Sequence, residues 1–189
     1  MKTFLSMTKR NIKLFFKDKG MFFTSLITPV ILLVLYSTFL AKVYRDSFTS
    51  ALPDGIVVSE KLIGGMVGGE LFSSLLAVCC VTVAFCSNLL MVQDKVSGVR
   101  KDFDISPTKK STLAISYYIS SLLTTLIISL VATFASFAYI AIQGWFLSFG
   151  DVMLILLDVF MLTMFGTALS SVINFFLSTN GQASAVGTI

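Results

Sequence analysis

Histidine is absent from this sequence. That gap removes Ser-His-Asp triads, most zinc hydrolases and haem ligation together. Cysteine is nearly as scarce. Cys79, Cys80 and Cys86 are an odd set confined to one apolar stretch, which argues against a disulfide framework or a zinc site. Charge is also short: Asp, Glu, Lys and Arg make up 13% of residues, about half the usual share. They are clumped, whereas a soluble domain spreads them over its surface. No G-x-x-x-x-G-K-[ST] loop occurs, so the chain does not hold ATP in that way. No catalytic residue, metal ligand or cofactor of its own is expected.

Apolar sequence is abundant instead. The chain is 56% hydrophobic, with a mean hydropathy of +0.90. Gly20–Ala41, Leu71–Gln93, Ser111–Gly150 and Val159–Ile189 carry no charge. A helix needs about 20 apolar residues to cross a hydrocarbon core of about 30 Å. Spans are therefore expected near Phe22–Ala41, Glu70–Val92, Leu113–Ile142 and Val152–Leu177. Short alternating segments, the signature of a membrane barrel, are missing. The fold class is an all-α integral membrane protein.

Eleven of the fourteen Lys and Arg residues precede the first span or lie between the second and third. The excess of cations places both segments, and the N-terminus, in the cytosol of a multi-pass plasma-membrane protein. The net charge of +4 reads as topology and contact with lipid, not nucleic-acid binding. Tyr36 and Tyr44 after the first span, and Tyr117, Tyr118, Tyr139 and Trp145 on the third, suit aromatic belts.

Residues 1–19 have helical spacing. Phe4, Leu5, Thr8, Ile12, Phe15 and Phe16 form one face, with Lys2, Ser6, Lys9, Lys13 and Lys17 opposite. This pattern predicts an interfacial amphipathic helix with its Phe face in lipid and its Lys stems snorkelling, hinged to the first span at Gly20. Pro29 is expected to kink that span. Val43–Ile63 reads as a short external segment with a turn at Pro53-Asp54-Gly55. Gly64, Gly65, Gly68 and Gly69 make overlapping GxxxG frames that permit close helix packing, with a flexible loop as the plainer reading. Asp158 is the one acid deep in a span. It is expected to face a partner helix or water, in a functional or a structural role.

Gln93–Ser111 carries the functional signal. Charges of both signs surround Val99, Phe103 and Ile105. Gly98 suits the end of one helix, and Ser106-Pro107 the start of the next. The short element between them, with Phe103 as an apolar knob, has the makings of a docking element.

Asp94, Gly98, Phe103 and Ser106-Pro107, placed between the second and third spans, resemble the cytosolic loop of ABC-2 type transporter permeases. The N-terminal helix resembles that family's elbow helix. The resemblance covers residues 1–189, with the elbow helix at 1–19 and the coupling loop at 93–111. It implies a permease subunit that pairs with a second permease chain and docks a separate ABC ATPase through Asp94, Gly98, Phe103, Ser106 and Pro107. ATP and Mg would sit on that partner, and an exported drug, antibiotic, peptide or lipid-like molecule would be moved. The family has six spans. Four are present here, followed by the start of a fifth at Ala183–Ile189, the pattern expected of a truncated six-helix permease. The competing reading is a non-transport membrane protein, an immunity or assembly factor acting by helix packing.

Overall fold

The computed structural model describes residues 2–51, 58–145 and 147–187. Among these, every regular element is helical. The order is α1 (Lys2–Lys17), α2 (Lys19–Leu35), a π-helical turn (Tyr36–Leu40), α3 (Ala41–Ser50), α4 (Glu60–Val96), α5 (Val99–Ile105), α6 (Lys110–Gly144), α7 (Phe149–Phe176) and α8 (Asn180–Gly187). Lys19–Ser50, Glu60–Val96, Lys110–Ile142 and Phe149–Phe176 are each long and apolar enough to cross a membrane. The chain is thus an all-α membrane protein with four candidate spans.

The helices overrun the apolar sequence within them. The 37 residues of α4 reach about 56 Å at helical rise, well beyond a hydrocarbon core of about 30 Å. Much of the expected external segment is therefore helix, as α3 and the first turns of α4. Gly64–Gly69 lies within α4 and is not a loop. The turn expected at Pro53-Asp54-Gly55 falls outside the described residues.

Being apolar on every side, α4 suits a position surrounded by other helices. It packs against α6, α7, α2 and α8. Leu75, Leu76, Cys79, Cys80, Val83 and Val92 are fully enclosed there. By contrast, α2 leaves Phe23, Ile27, Val30, Ile31 and Val34 exposed. On α6 a file of hydroxyls faces the interior. Ser116, Ser120, Thr124, Thr133 and Ser136 each donate to a carbonyl three or four residues back, at 2.7–3.0 Å. Satisfied within their own helix, these side chains are inexpensive to bury.

Three local expectations change. The break between α1 and α2 falls at Asp18, not Gly20, because the Asp18 carboxylate caps α2 by accepting from the Met21 amide at 3.1 Å. The apolar side of α1 packs on protein instead of lipid. Phe15 is buried with Met21, Val83, Leu90 and Ile128, and Met7 with Met91 and Leu113. Burial against α6 takes precedence over the membrane surface; Leu5 and Phe16 stay exposed. Finally, Tyr36 and Tyr117 are buried and do not serve as belt residues. Tyr36 donates to the Val67 carbonyl and stacks on Tyr44 at 5.8 Å. The π-helical turn that Tyr36 begins adds a residue to the helix turn and is common near functional sites.

Candidate functional site

At the end of the bundle that carries α5, α1 meets the C-terminus of α4 and the N-terminus of α6, and the C-terminus of α7 lies against α4. Met7, Met91, Leu113 and Tyr117 form an apolar cluster, and Phe103 packs against it. Beside the cluster lies a buried carboxylate. Asp94 is 5% exposed, and Arg10 grips it in a bidentate pair, Nη1 to Oδ2 at 2.8 Å and Nη2 to Oδ1 at 3.0 Å. The Tyr117 hydroxyl donates to Oδ2 at 2.5 Å. Arg10 also donates to Asn11 Oδ1 at 3.0 Å, and its guanidinium lies 5.4 Å from the Phe103 ring centroid.

A bidentate Arg–carboxylate pair fixes orientation as well as charge. Here it joins α1 to α4, while Tyr117 adds α6 and Phe103 adds α5. Hydrogen bonding to Asp94 raises the Arg10 pKa above its ordinary value. Lys95 points to the other side. Its Nζ donates to the carbonyls of Asn174, Phe175 and Leu177 at 3.1, 2.7 and 2.8 Å.

Gly98 has φ +82°. This left-handed geometry, which favours glycine, lets Ser97 and Gly98 alone turn the chain from α4 into α5. On α5, Lys101, Asp102, Asp104 and Ile105 are exposed, with Ile105 at 87%. Phe103 is half-buried and so is not the exposed knob expected of it; that position belongs to Ile105. Ser106 ends α5 instead of capping α6. Its hydroxyl donates to the Phe103 carbonyl at 2.9 Å and accepts from the Thr108 amide at 3.3 Å. Because Pro107 requires an extended residue before it, Ser106 takes ψ 156°, and α6 begins only at Lys110.

The structure brings Asp94 and Phe103 together through Arg10, while Gly98, Ser106 and exposed Pro107 frame α5. Along α1, Lys9, Lys13 and Phe16 are exposed, Phe4 and Ile12 half-buried, and Phe15 buried. Asp158 is exposed on α7 and has no hydrogen bond or ion pair among the described residues. Gly64, Gly65 and Gly68 are buried and Gly69 is exposed. A Cβ on Gly68 would lie 3.1 Å from Ile140 Cγ1. Sequence reasoning missed Arg10, Lys95 and Tyr117 as partners. One signal was available for Arg10, the lone arginine among the basic residues of α1.

A helical bundle with four candidate spans, an N-terminal helix packed on it and a short helix between the second and third spans defines the class as a multi-pass α-helical membrane protein. The model of the ABC-2 type transporter family matches residues 2–189, and the chain belongs to that family. It is a permease subunit of an ABC transporter, and membership implies association with an ABC ATPase subunit. No curated protein and no solved structure matches it.

Proposed function

We propose that this permease is the membrane half of an ATP-driven exporter, coupled through α5 to hydrolysis on a separate ATPase that carries the ATP and Mg. The N-terminus and α5 face the cytosol across a plasma membrane, a second permease chain completes the pathway, and the cargo is a drug, antibiotic, peptide or lipid-like molecule. One observation carries this reading. Phe103 is held against the bundle beneath Arg10 while Ile105, two positions on, is 87% exposed amid charge. A solvated connector has no use for such an arrangement. A lever does: it needs one side chain to take the partner's push and another to pass it to α1, α4 and α6.

Burying an isoleucine in a partner's surface is worth about 1.5–3 kcal/mol, or roughly tenfold or more in affinity. The test is affinity purification of the tagged protein from its own membranes, comparing wild type with Ile105→Asp at equal expression. An ABC ATPase is expected with wild type and at least about tenfold depleted with the variant. An ATPase equally abundant in both preparations removes Ile105 from the contact. A wild-type preparation without any ATPase removes the coupling itself.

A further inference from the structure

Along their shared seam α4 and α7 run parallel, because Gly166 of α7 meets Cys80 of α4, Ser170 meets Asn88, and Asn174 meets Lys95. Their C-termini therefore end side by side. Each end has carbonyls without intrahelical donors and the negative pole of a helix dipole. Two such poles repel, and neither Asn174–Leu177 nor the α7–α8 junction contains a cation of its own. Lys95 fills the gap. It belongs to the last turn of α4, yet its ammonium gives three hydrogen bonds to carbonyls at the end of α7, at 2.7–3.1 Å. It also lies 5.6 Å from the Phe175 ring centroid. An ammonium has three donors, so these bonds use its full capacity.

Lys95 thus stands next to Asp94, the residue that Arg10 and Tyr117 grip. Adjacent residues of one helical turn bind α1 and α6 on one side and α7 on the other.

We propose that Lys95 is a positioning residue that clamps the end of α7 to the root of α5, so that motion of α5 reaches the fourth span as well as the second. The inference rests on the coupling role proposed for α5. A plain interhelical packing contact would need no charge; this one gathers orphan carbonyls from a second helix. When the clamp is intact, α5, the end of α4 and the α7–α8 junction move as one body. When it is lost, α7 can lag behind α5.

The experiment uses the full chain purified with its co-purifying ATPase, with the native cysteines replaced by alanine and nitroxide labels at Lys101→Cys and Ser178→Cys. Both positions are exposed. Distance distributions are recorded without nucleotide and after trapping with ATP and vanadate. With Lys95 present, one narrow distance is expected in both states. With Lys95→Met, which keeps the stem and removes the charge, the distribution broadens and shifts on trapping, and Lys95→Arg restores it. Equal ATPase recovery with Lys95→Met shows that docking itself is intact. A Lys95→Met distribution that matches wild type in both states overturns the clamp. If no ATPase co-purifies with wild type, the coupling reading fails separately. The clamp is then judged on the nucleotide-free distance, which must broaden in Lys95→Met for it to stand.

Discussion

At the scale of single residues, the Arg10–Asp94 pair shows how burial decides what an ion pair does. Removing one partner of a buried pair leaves an uncompensated charge and costs several kcal/mol, whereas exposed pairs are worth under about 1 kcal/mol. Arg10 and Asp94 fall between these limits, because the side chain of Arg10 is 32% exposed and that of Asp94 only 7%. Solvent reaches the cation and not the carboxylate, so the two single changes should differ. Arg10→Ala strands Asp94 with the Tyr117 hydroxyl as its side-chain donor among the described residues, while Asp94→Ala leaves a guanidinium that water can reach. Arg10→Ala is therefore expected to destabilise more, by about 2 kcal/mol. Thermal unfolding in detergent of the two single variants and the double variant gives the coupling, expected at about 1–2 kcal/mol. Strict additivity would show that the pair contributes nothing. Little pH dependence should come from Arg10. Its pKa is raised on folding, so its contribution is complete below the ordinary arginine range and declines only as pH climbs through the raised value.

At the scale of elements, the decisive contact is between α4 and α7. A Cβ on Gly166 would lie 2.8 Å from the Cys80 carbonyl oxygen and 3.3 Å from Val81 Cα. Both are backbone atoms, which cannot swing aside, so Gly166→Ala forces the helices apart at a cost of about 1–3 kcal/mol. Gly69 has nothing within 4 Å of its Cβ position, and Gly69→Ala is expected to stabilise by about 0.5–1 kcal/mol through helix propensity. Opposite shifts in unfolding temperature check the pair; a harmless Gly166→Ala would mean that the two helices do not meet there. This contrast also marks how much was legible beforehand. The spans and the charge clusters could be read because each is a property of consecutive residues, and so could the short element between Gly98 and Ser106. Helix-on-helix contacts could not. The glycine run at 64–69 drew attention by its spacing, yet a tight approach to another helix's backbone is found at isolated Gly166, because a crossing point depends on how two distant helices are rotated. Phe103 was misplaced for a similar reason. Its neighbours in sequence are charged, but those in space are Met7, Met91, Leu113 and Tyr117. The pairing of Arg10 with Asp94, 84 residues apart, left no local trace.

At the scale of the whole molecule, the bundle has two chemically different ends. One gathers α1, α5 and the start of α6, which hold most of the Lys and Arg. The other holds Lys42, Arg45 and Lys61, with Arg45 neutralised by Glu60 at 2.8 Å. Orientation in a membrane follows the count of cations in short loops and next to spans, and acidic residues weigh little. On this basis α5 is expected in the cytosol, and the α6–α7 connection, which has no cation, outside. A membrane-impermeant maleimide decides the matter. Lys101→Cys on α5 and Ser148→Cys before α7 are both exposed positions. Cys79 and Cys80 are buried and Cys86 half-buried, so the parent chain should react weakly. Intact cells should label Ser148→Cys and spare Lys101→Cys until the membrane is opened. Labelling of Lys101→Cys from outside would invert the protein and would reach further than topology. The ATPase that family membership implies finds its nucleotide only in the cytosol, so an external α5 could not be its docking element. The Ile105 argument would fall with that one result, whereas the Lys95 contact with α7 would still be judged on its nucleotide-free distance and the helix-packing argument at Gly166 would stand unchanged.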